Sequence, residues 1–176
     1  MNKFDKYCGM HAWIPAPNLS NGFHGILFQY IKEYYQDRNS LLMIAENDNV
    51  NNIFEREFRN ISINNNSYSG SKGEQFIDLN IKLNWESKFD FVLSQALLEH
   101  VCRPCIALEN MVDATKIGGK IIIHTQNAQM GYHAVPIDCL RFFKDWFVDM
   151  QKYLPIKLIA WNEFGPHLFC MYERIN

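Results

Sequence analysis

The stretch from Phe89 to Gly119 constrains the fold more than any other. Phe89-Asp90-Phe91-Val92-Leu93-Ser94 is a short apolar run, and Leu97-Leu98-Glu99-His100 follows it. A helical stretch over about 103–115 then leads to Gly118-Gly119 and Lys120-Ile121-Ile122-Ile123, with Ala107, Leu108, Met111 and Val112 on its core face. A run of that kind suits a strand buried on both faces, as parallel sheets require. Strand, polar loop, helix, Gly-Gly helix stop and strand make a parallel βαβ unit.

The rest of the chain extends that unit. Phe23, Ile26, Leu27, Tyr30, Ile31 and Tyr34 recur at helical spacing, which predicts an amphipathic helix over 22–36. Leu41-Leu42-Met43-Ile44-Ala45 is a buried-strand run. Val50, Ile53, Phe54 and Phe58 share a helix face, and Ile61-Ser62-Ile63 is a second short strand. Residues 64–73 are polar and turn-rich, and Gln75-Phe76-Ile77-Asp78-Leu79 reads as a third strand ending at an acid. Leu140, Phe143, Trp146, Phe147, Met150 and Tyr153 predict an apolar helix over 138–153. Two runs, 156–162 and 167–174, flank Gly165-Pro166 as a closing hairpin, and residues 1–21 are irregular. The expectation is one α/β domain over 1–176: three-layer, Rossmann-like, mostly parallel, with an antiparallel C-terminal hairpin.

Composition excludes several classes. With 48% apolar and 14% aromatic residues, the 176-residue chain can bury a sizeable core. Its net charge of −2 is spread along the sequence, so no basic tract announces nucleic acid. No apolar run approaches the roughly 18–20 residues of a membrane span. Five cysteines without a regular framework, and no signal peptide, point to the cytoplasm. Cys102-Arg103-Pro104-Cys105 has CxxC spacing but lacks the second Cys/His pair a zinc site wants. Pro104 better suits the first turn of a helix.

In open α/β sheets, ligands bind beyond the carboxyl ends of the strands. Here those ends carry Ala45-Glu46-Asn47-Asp48, Asp78-Leu79, Ser94-Gln95-Ala96 and Thr125-Gln126-Asn127. The order and chemistry of 89–119 resemble the second half of class I S-adenosyl-L-methionine (SAM)-dependent methyltransferases. The resemblance spans about residues 40–145. It implies SAM as cofactor, held by Ala45, Glu46 and Asn47 after the first strand and by Asn64 after the second. It further implies Asp78 and Leu79 on the adenine side, and Ser94, Gln95, Ala96 and His100 after the fourth strand. The chain departs from the family between Ile44 and Asn49, where the usual glycines are missing, and at Asn64, where the family carries an acid. Asp78 also reads simply as a turn or cap residue, and His100 as a partner for backbone groups.

His133-Ala134-Val135-Pro136-Ile137-Asp138-Cys139-Leu140-Arg141-Phe142 resembles an acceptor-pocket loop found in a subset of these enzymes, many from glycan or small-metabolite pathways. That implies catalytic roles for His133, Asp138 and Arg141, with Asp138 and Arg141 holding the loop or the substrate. An imidazole, with its ordinary pKa near 6.5, suits removal of a hydroxyl proton as general base. Asp138 could instead cap the following helix, and Arg141 can pair with it across one turn. His124, inside a strand, reads as buried and hydrogen-bonded. No metal is required; a His133/Asp138/His124 set is conceivable, but nothing in the sequence fixes three ligands in space. The expected acceptor is a hydroxyl or amine of a small molecule or glycan, and a homo-oligomer stays open. Two rivals stand beside this. An inactive methyltransferase-like binding module is favoured by the missing glycines. A NAD-type oxidoreductase fails for want of GxGxxG.

Overall fold

A computed structural model describes residues 23–44, 48–66, 77–133 and 137–176. The elements are α1 (Phe23–Tyr34), β1 (Ser40–Ile44), α2 (Asp48–Glu57), β2 (Ser62–Asn66), β3 (Phe89–Gln95), a 3₁₀ turn (Leu98–His100), α3 (Pro104–Ala114), β4 (Thr115–Gln126), α4 (Lys144–Met150), β5 (Ile156–Phe164) and β6 (His167–Arg174). They build one six-stranded sheet in the order β2-β1-β3-β4-β6-β5. β2, β1, β3 and β4 run parallel, and β6 lies antiparallel between β4 and β5. The expected α/β architecture with its antiparallel C-terminal hairpin is therefore present.

Period-two alternation divides the strands between two cores. Leu42, Ile44, Val92, Ile121, Ile123, Leu168 and Cys170 pack with Ala107, Leu108, Met111 and Phe147 of α3 and α4. Leu41, Met43, Phe91, Leu93, Ile122, Phe169 and Met171 pack with Ile26, Leu27, Tyr30 and Ile31 of α1 and Phe54 and Phe58 of α2. Alternate residues point to opposite faces of a strand, so a continuous apolar run feeds both layers. The chain steps from β1 outward to β2 and then crosses to β3 on β1's other side. That makes the gap between the carboxyl ends of β1 and β3 the topological switch point, where such sheets bind ligands.

Three expectations are corrected. Residues 77–79 form no strand: Ile77 and Leu79 are buried, but the chain turns at Leu79-Asn80. The Asp78 carboxylate accepts the Asn80 backbone N–H at 2.9 Å and its side-chain amide at 3.0 Å, a local bond that competes with any ladder. Residues 75–76 lie outside the described part. The helix of 138–153 shrinks to α4, because the N–H groups before it find distant acceptors. Those of Cys139 and Leu140 donate to the Glu99 carbonyl and that of Phe142 to the Gln126 carbonyl. Gly118-Gly119 is also not the stop of α3. That helix ends at Ala114, where Thr115 Oγ1 donates back to the Met111 carbonyl at 2.7 Å.

The glycine pair instead lies within β4. Gly118 adopts φ +78°. A Cβ on Gly119 would meet Thr115 Cγ2 at 2.7 Å, the Lys116 carbonyl at 2.9 Å and the Asp90 carbonyl at 3.0 Å. Two of those atoms are backbone and cannot swing aside. Gly119→Ala is therefore expected to cost about 1–3 kcal/mol, a fall in Tm of roughly 2–12 °C. Gly131→Ala, with nothing within 4 Å of its Cβ position, should leave Tm unchanged in the same thermal melt.

Candidate functional site

The carboxyl end of β3 carries unsatisfied chemistry. Ser94 is fully buried, and neither its Oγ nor Gln95 Oε1 has a hydrogen-bond partner among the described residues. Ala96 then turns the chain with φ +47°, a costly conformation for a residue with a Cβ. Its N–H is held by the His124 carbonyl at 2.9 Å. Gln95 Nε2 stands 3.5 Å from His24 Nε2. His24 in turn lines a cavity of about 380 Å³ together with Phe28, Ile53, Arg56 and Glu57. Burial lowers the pKa of His24, which favours its neutral form.

The next turn holds the rim together. Glu99 is completely buried. Its Oε2 accepts from Thr125 Oγ1 at 2.7 Å, tying β3's exit to β4, while its Oε1 has no partner among the described residues. The Glu99 carbonyl accepts the N–H groups of Cys139 at 2.8 Å and Leu140 at 3.1 Å. His100 Nδ1 donates to the Ile137 carbonyl. The Phe142 N–H reaches the Gln126 carbonyl at 2.9 Å, and Gln126 Oε1 is a further buried atom without a partner among the described residues. The segment 137–142 is thus docked across the ends of β3 and β4 by backbone bonds.

His133, Asp138 and Arg141 meet on that segment. The Arg141 guanidinium forks onto both Asp138 oxygens. It also donates to the carbonyls of Met130 at 3.1 Å, Gly131 at 2.7 Å and Leu140 at 2.7 Å. Asp138 Oδ2 accepts the His133 backbone N–H at 2.8 Å. The Asp138 side chain is 3% exposed, and the Arg141 guanidinium holds its carboxyl well below the usual carboxylate range. The pair is therefore an internal clamp. Asp138 does not cap α4, which starts after Phe143. His133, at 35% side-chain exposure, has Nδ1 3.5 Å from Arg141 Nη2 and 3.7 Å from Asp138 Oδ2. Its ring meets that of His100 edge-on, with centroids 5.1 Å apart. Tyr132, Ile137 and Phe143 leave large apolar surfaces exposed close by in the chain.

The structure places other candidates elsewhere or leaves them undescribed. Asp78 is engaged in its turn with Asn80, whose Oδ1 accepts the Arg103 N–H at 3.0 Å, and Leu79 is core. Asn64 pairs through its backbone with Leu42 on β1, and its side chain lies outside the described part. Ala45, Glu46 and Asn47 lie outside the described residues, as does Pro136. Pro104 does open α3, but the partner of Cys102 is not Cys105. Cys102 Sγ lies 3.1 Å from Cys139 Sγ, whereas Cys105 faces Met150 Sδ at 4.0 Å. Sequence reasoning missed the depth of Glu99. An acid set among Leu97, Leu98 and Val101 was its signal. Nothing in the sequence tied His24 to Gln95.

No protein-family model matches the chain, and no curated protein matches it. Solved structures match its fold. The 1,6-didemethyltoxoflavin-N1-methyltransferase of Burkholderia thailandensis, with bound 1,6-didemethyltoxoflavin and S-adenosylhomocysteine, has a TM-score of 0.65 at 11% identity, covering 85% of this chain and 76% of that one. A SAM-dependent methyltransferase from Aquifex aeolicus reaches 0.58 at 12% identity, covering 84% and 88%. The [4+2]-cyclase SpnF reaches 0.65 at 9% identity, covering 85% and 81%. The chain thus has the Rossmann-like methyltransferase fold, and the fold alone does not choose its reaction.

His124 sits beneath this rim, buried as expected, with Nε2 3.1 Å from His167 Nδ1. Burial, with His167 and His24 nearby, pushes its pKa down to about 3. An unfolded histidine titrates near 6.5, so between those values the unfolded chain binds the extra proton. Stability contributed by neutral His124 is complete above about pH 6.5 and is lost as pH falls toward 3, at no more than about 1.4 kcal/mol per pH unit. Thermal melts of His124→Phe across that window should show a shallower acid-side decline than the parent. An equal slope would remove His124 from the account.

Proposed function

We propose that the protein is a SAM-dependent methyltransferase acting on a hydroxyl, or an amine, of a small molecule or glycan. One observation carries the reading: the switch point of a methyltransferase-like sheet ends in Ser94 and Gln95, whose Oγ and Oε1 are buried atoms without a partner among the described residues, next to His24 and the cavity it lines with residues of α1 and α2. Buried polar groups without partners are costly, and a water, an ion or a polar ligand relieves them. When bound, SAM supplies an electrophilic methyl group on its sulfonium. Ser94, Gln95, Ala96 and His100 would meet it from the β3 rim. Ala45, Glu46 and Asn47 would meet it from the β1 rim, Asn64 from β2, and Asp78 and Leu79 from the adenine side.

His133 takes the acceptor's proton as general base. Asp138 and Arg141 act by holding the loop that carries it, through the His133 N–H and the Met130 and Gly131 carbonyls. Exposed Tyr132, Ile137 and Phe143 offer an apolar rim for the acceptor. Most of the rate gain in such a transfer comes from holding two reactants in line. The four described cysteines form no disulfide, which suits the cytoplasm. No helix among the described residues is long and apolar enough to cross a membrane.

A second reading, an inactive ligand- or protein-binding module, is favoured by the absence of glycine between Ile44 and Asn49. Calorimetry and thermal melts with SAM and S-adenosylhomocysteine separate the two. Binding should stabilise the chain by about 2.7 kcal/mol at a hundredfold excess over Kd. No heat and no shift at millimolar ligand would sink the methyltransferase reading. With a turned-over acceptor in hand, His133→Ala should lower kcat by about 10²–10⁴ without moving Tm. Full turnover in that variant would show the base to be another group.

A further inference from the structure

We propose that Glu99, His100 and His133 form a binding site for one divalent transition-metal ion. One ligand atom from each lies within 4.8 Å of the other two, the one such cluster among the described residues. The strongest support is independent of that spacing. Glu99 is a fully buried carboxylate with one oxygen satisfied by Thr125 and the other by nothing described. A buried anion with an open lone-pair face is expensive, and a cation relieves it.

The surroundings orient the ligands as metal sites require. A carbonyl only accepts, so His100 Nδ1 carries the proton it gives to Ile137, and Nε2 keeps the lone pair for a metal. Thr125 fixes the Glu99 carboxylate from behind. Asp138 pins the His133 backbone and pairs with Arg141, whose Nη2 also lies 3.5 Å from His133 Nδ1, so Nε2 is the His133 nitrogen left for a metal. Two imidazoles and one carboxylate suit ions of the Mn²⁺, Fe²⁺, Co²⁺ and Zn²⁺ class better than Ca²⁺ or Mg²⁺, which prefer all-oxygen sets. Reaching bonds of about 2.0–2.2 Å requires the three side chains to draw together by roughly 1–2 Å. The His133 side chain is 35% exposed, so its ring can turn about its own torsions while Asp138 holds the backbone.

Three protein ligands leave coordination positions open. In a part that rests on the methyltransferase reading, those positions suit an acceptor with two neighbouring oxygens, such as a vicinal diol. With a metal bound there, Glu99, His100 and His133 would hold it, the ion would acidify an acceptor hydroxyl, and His133 would act as ligand in place of base.

Titration of the reduced full chain with Co²⁺, without SAM, tests the site. The expected result is one equivalent of saturable binding, weak visible d–d bands without a thiolate charge-transfer band, and a raised Tm. His133→Ala and Glu99→Gln should each weaken binding at least tenfold, while a Cys102→Ser/Cys139→Ser variant binds like the parent. His133 is partly exposed, so its variant tests the site even if Glu99→Gln fails to fold. Absence of saturable binding overturns the proposal. So does binding that survives His133→Ala but disappears with the cysteines, because the ion then sits on the thiols 3.1 Å apart. Cobalt binding without S-adenosylhomocysteine binding would leave the metal site standing and remove the cofactor reading. The reverse result would remove the metal site alone.

Discussion

The buried Glu99 is the constraint on which the functional rim depends. Its side chain reaches Thr125 on β4, and its carbonyl receives two N–H groups from the 137–142 segment. One residue therefore joins the exit of β3, the end of β4 and the loop that carries His133. A carboxylate sunk below the surface is a poor choice for stability alone, since an apolar residue of similar volume would usually serve as well or better. Its Oε1, together with oxygens of Ser94, Gln95 and Gln126, places buried atoms without a partner among the described residues at the carboxyl ends of β3 and β4. Such sites are tolerated where function requires them.

The charges around Glu99 divide into a clamp and a working face. Asp138 and Arg141 satisfy one another and the loop backbone, so little of their hydrogen-bonding capacity is left for a substrate. That arrangement suits both residues to holding the loop. His133 and His100, by contrast, face each other with Glu99 beside them. The clamp holds the His133 backbone in place and leaves its ring the freedom of its own torsions.

The sequence made the central sheet legible because parallel strands need apolar faces on both sides, and runs such as Leu41–Ile44 and Ile121–Ile123 can meet no other demand. It misled where local bonds outweighed pattern. Phe143, Trp146, Phe147 and Met150 keep helical spacing, yet residues 138–142 are extended because their N–H groups bond to Glu99 and Gln126. Ile77 and Leu79 alternate like a strand, yet Asp78 turns the chain. The pairing of Asp138 with Arg141 was readable from their spacing. The depth of Glu99, the approach of His24 to Gln95 and that of Cys102 to Cys139 were not, because residues 26 to 71 positions apart meet only through the sheet.

The two halves of the rim also differ in how they can recognise a ligand. Around β1 the usual glycines are absent, so close backbone approach to a cofactor is restricted between Ile44 and Asn49. Around β3 and β4 the opposite holds: Ala96 accepts a left-handed conformation, and buried side-chain atoms are already in place. A ligand entering this site would therefore gain most of its hydrogen bonds from the Ser94–His100 side, and its affinity would depend on the order imposed by Glu99. The residue that ties the loop to the sheet thus joins the two sides of this rim.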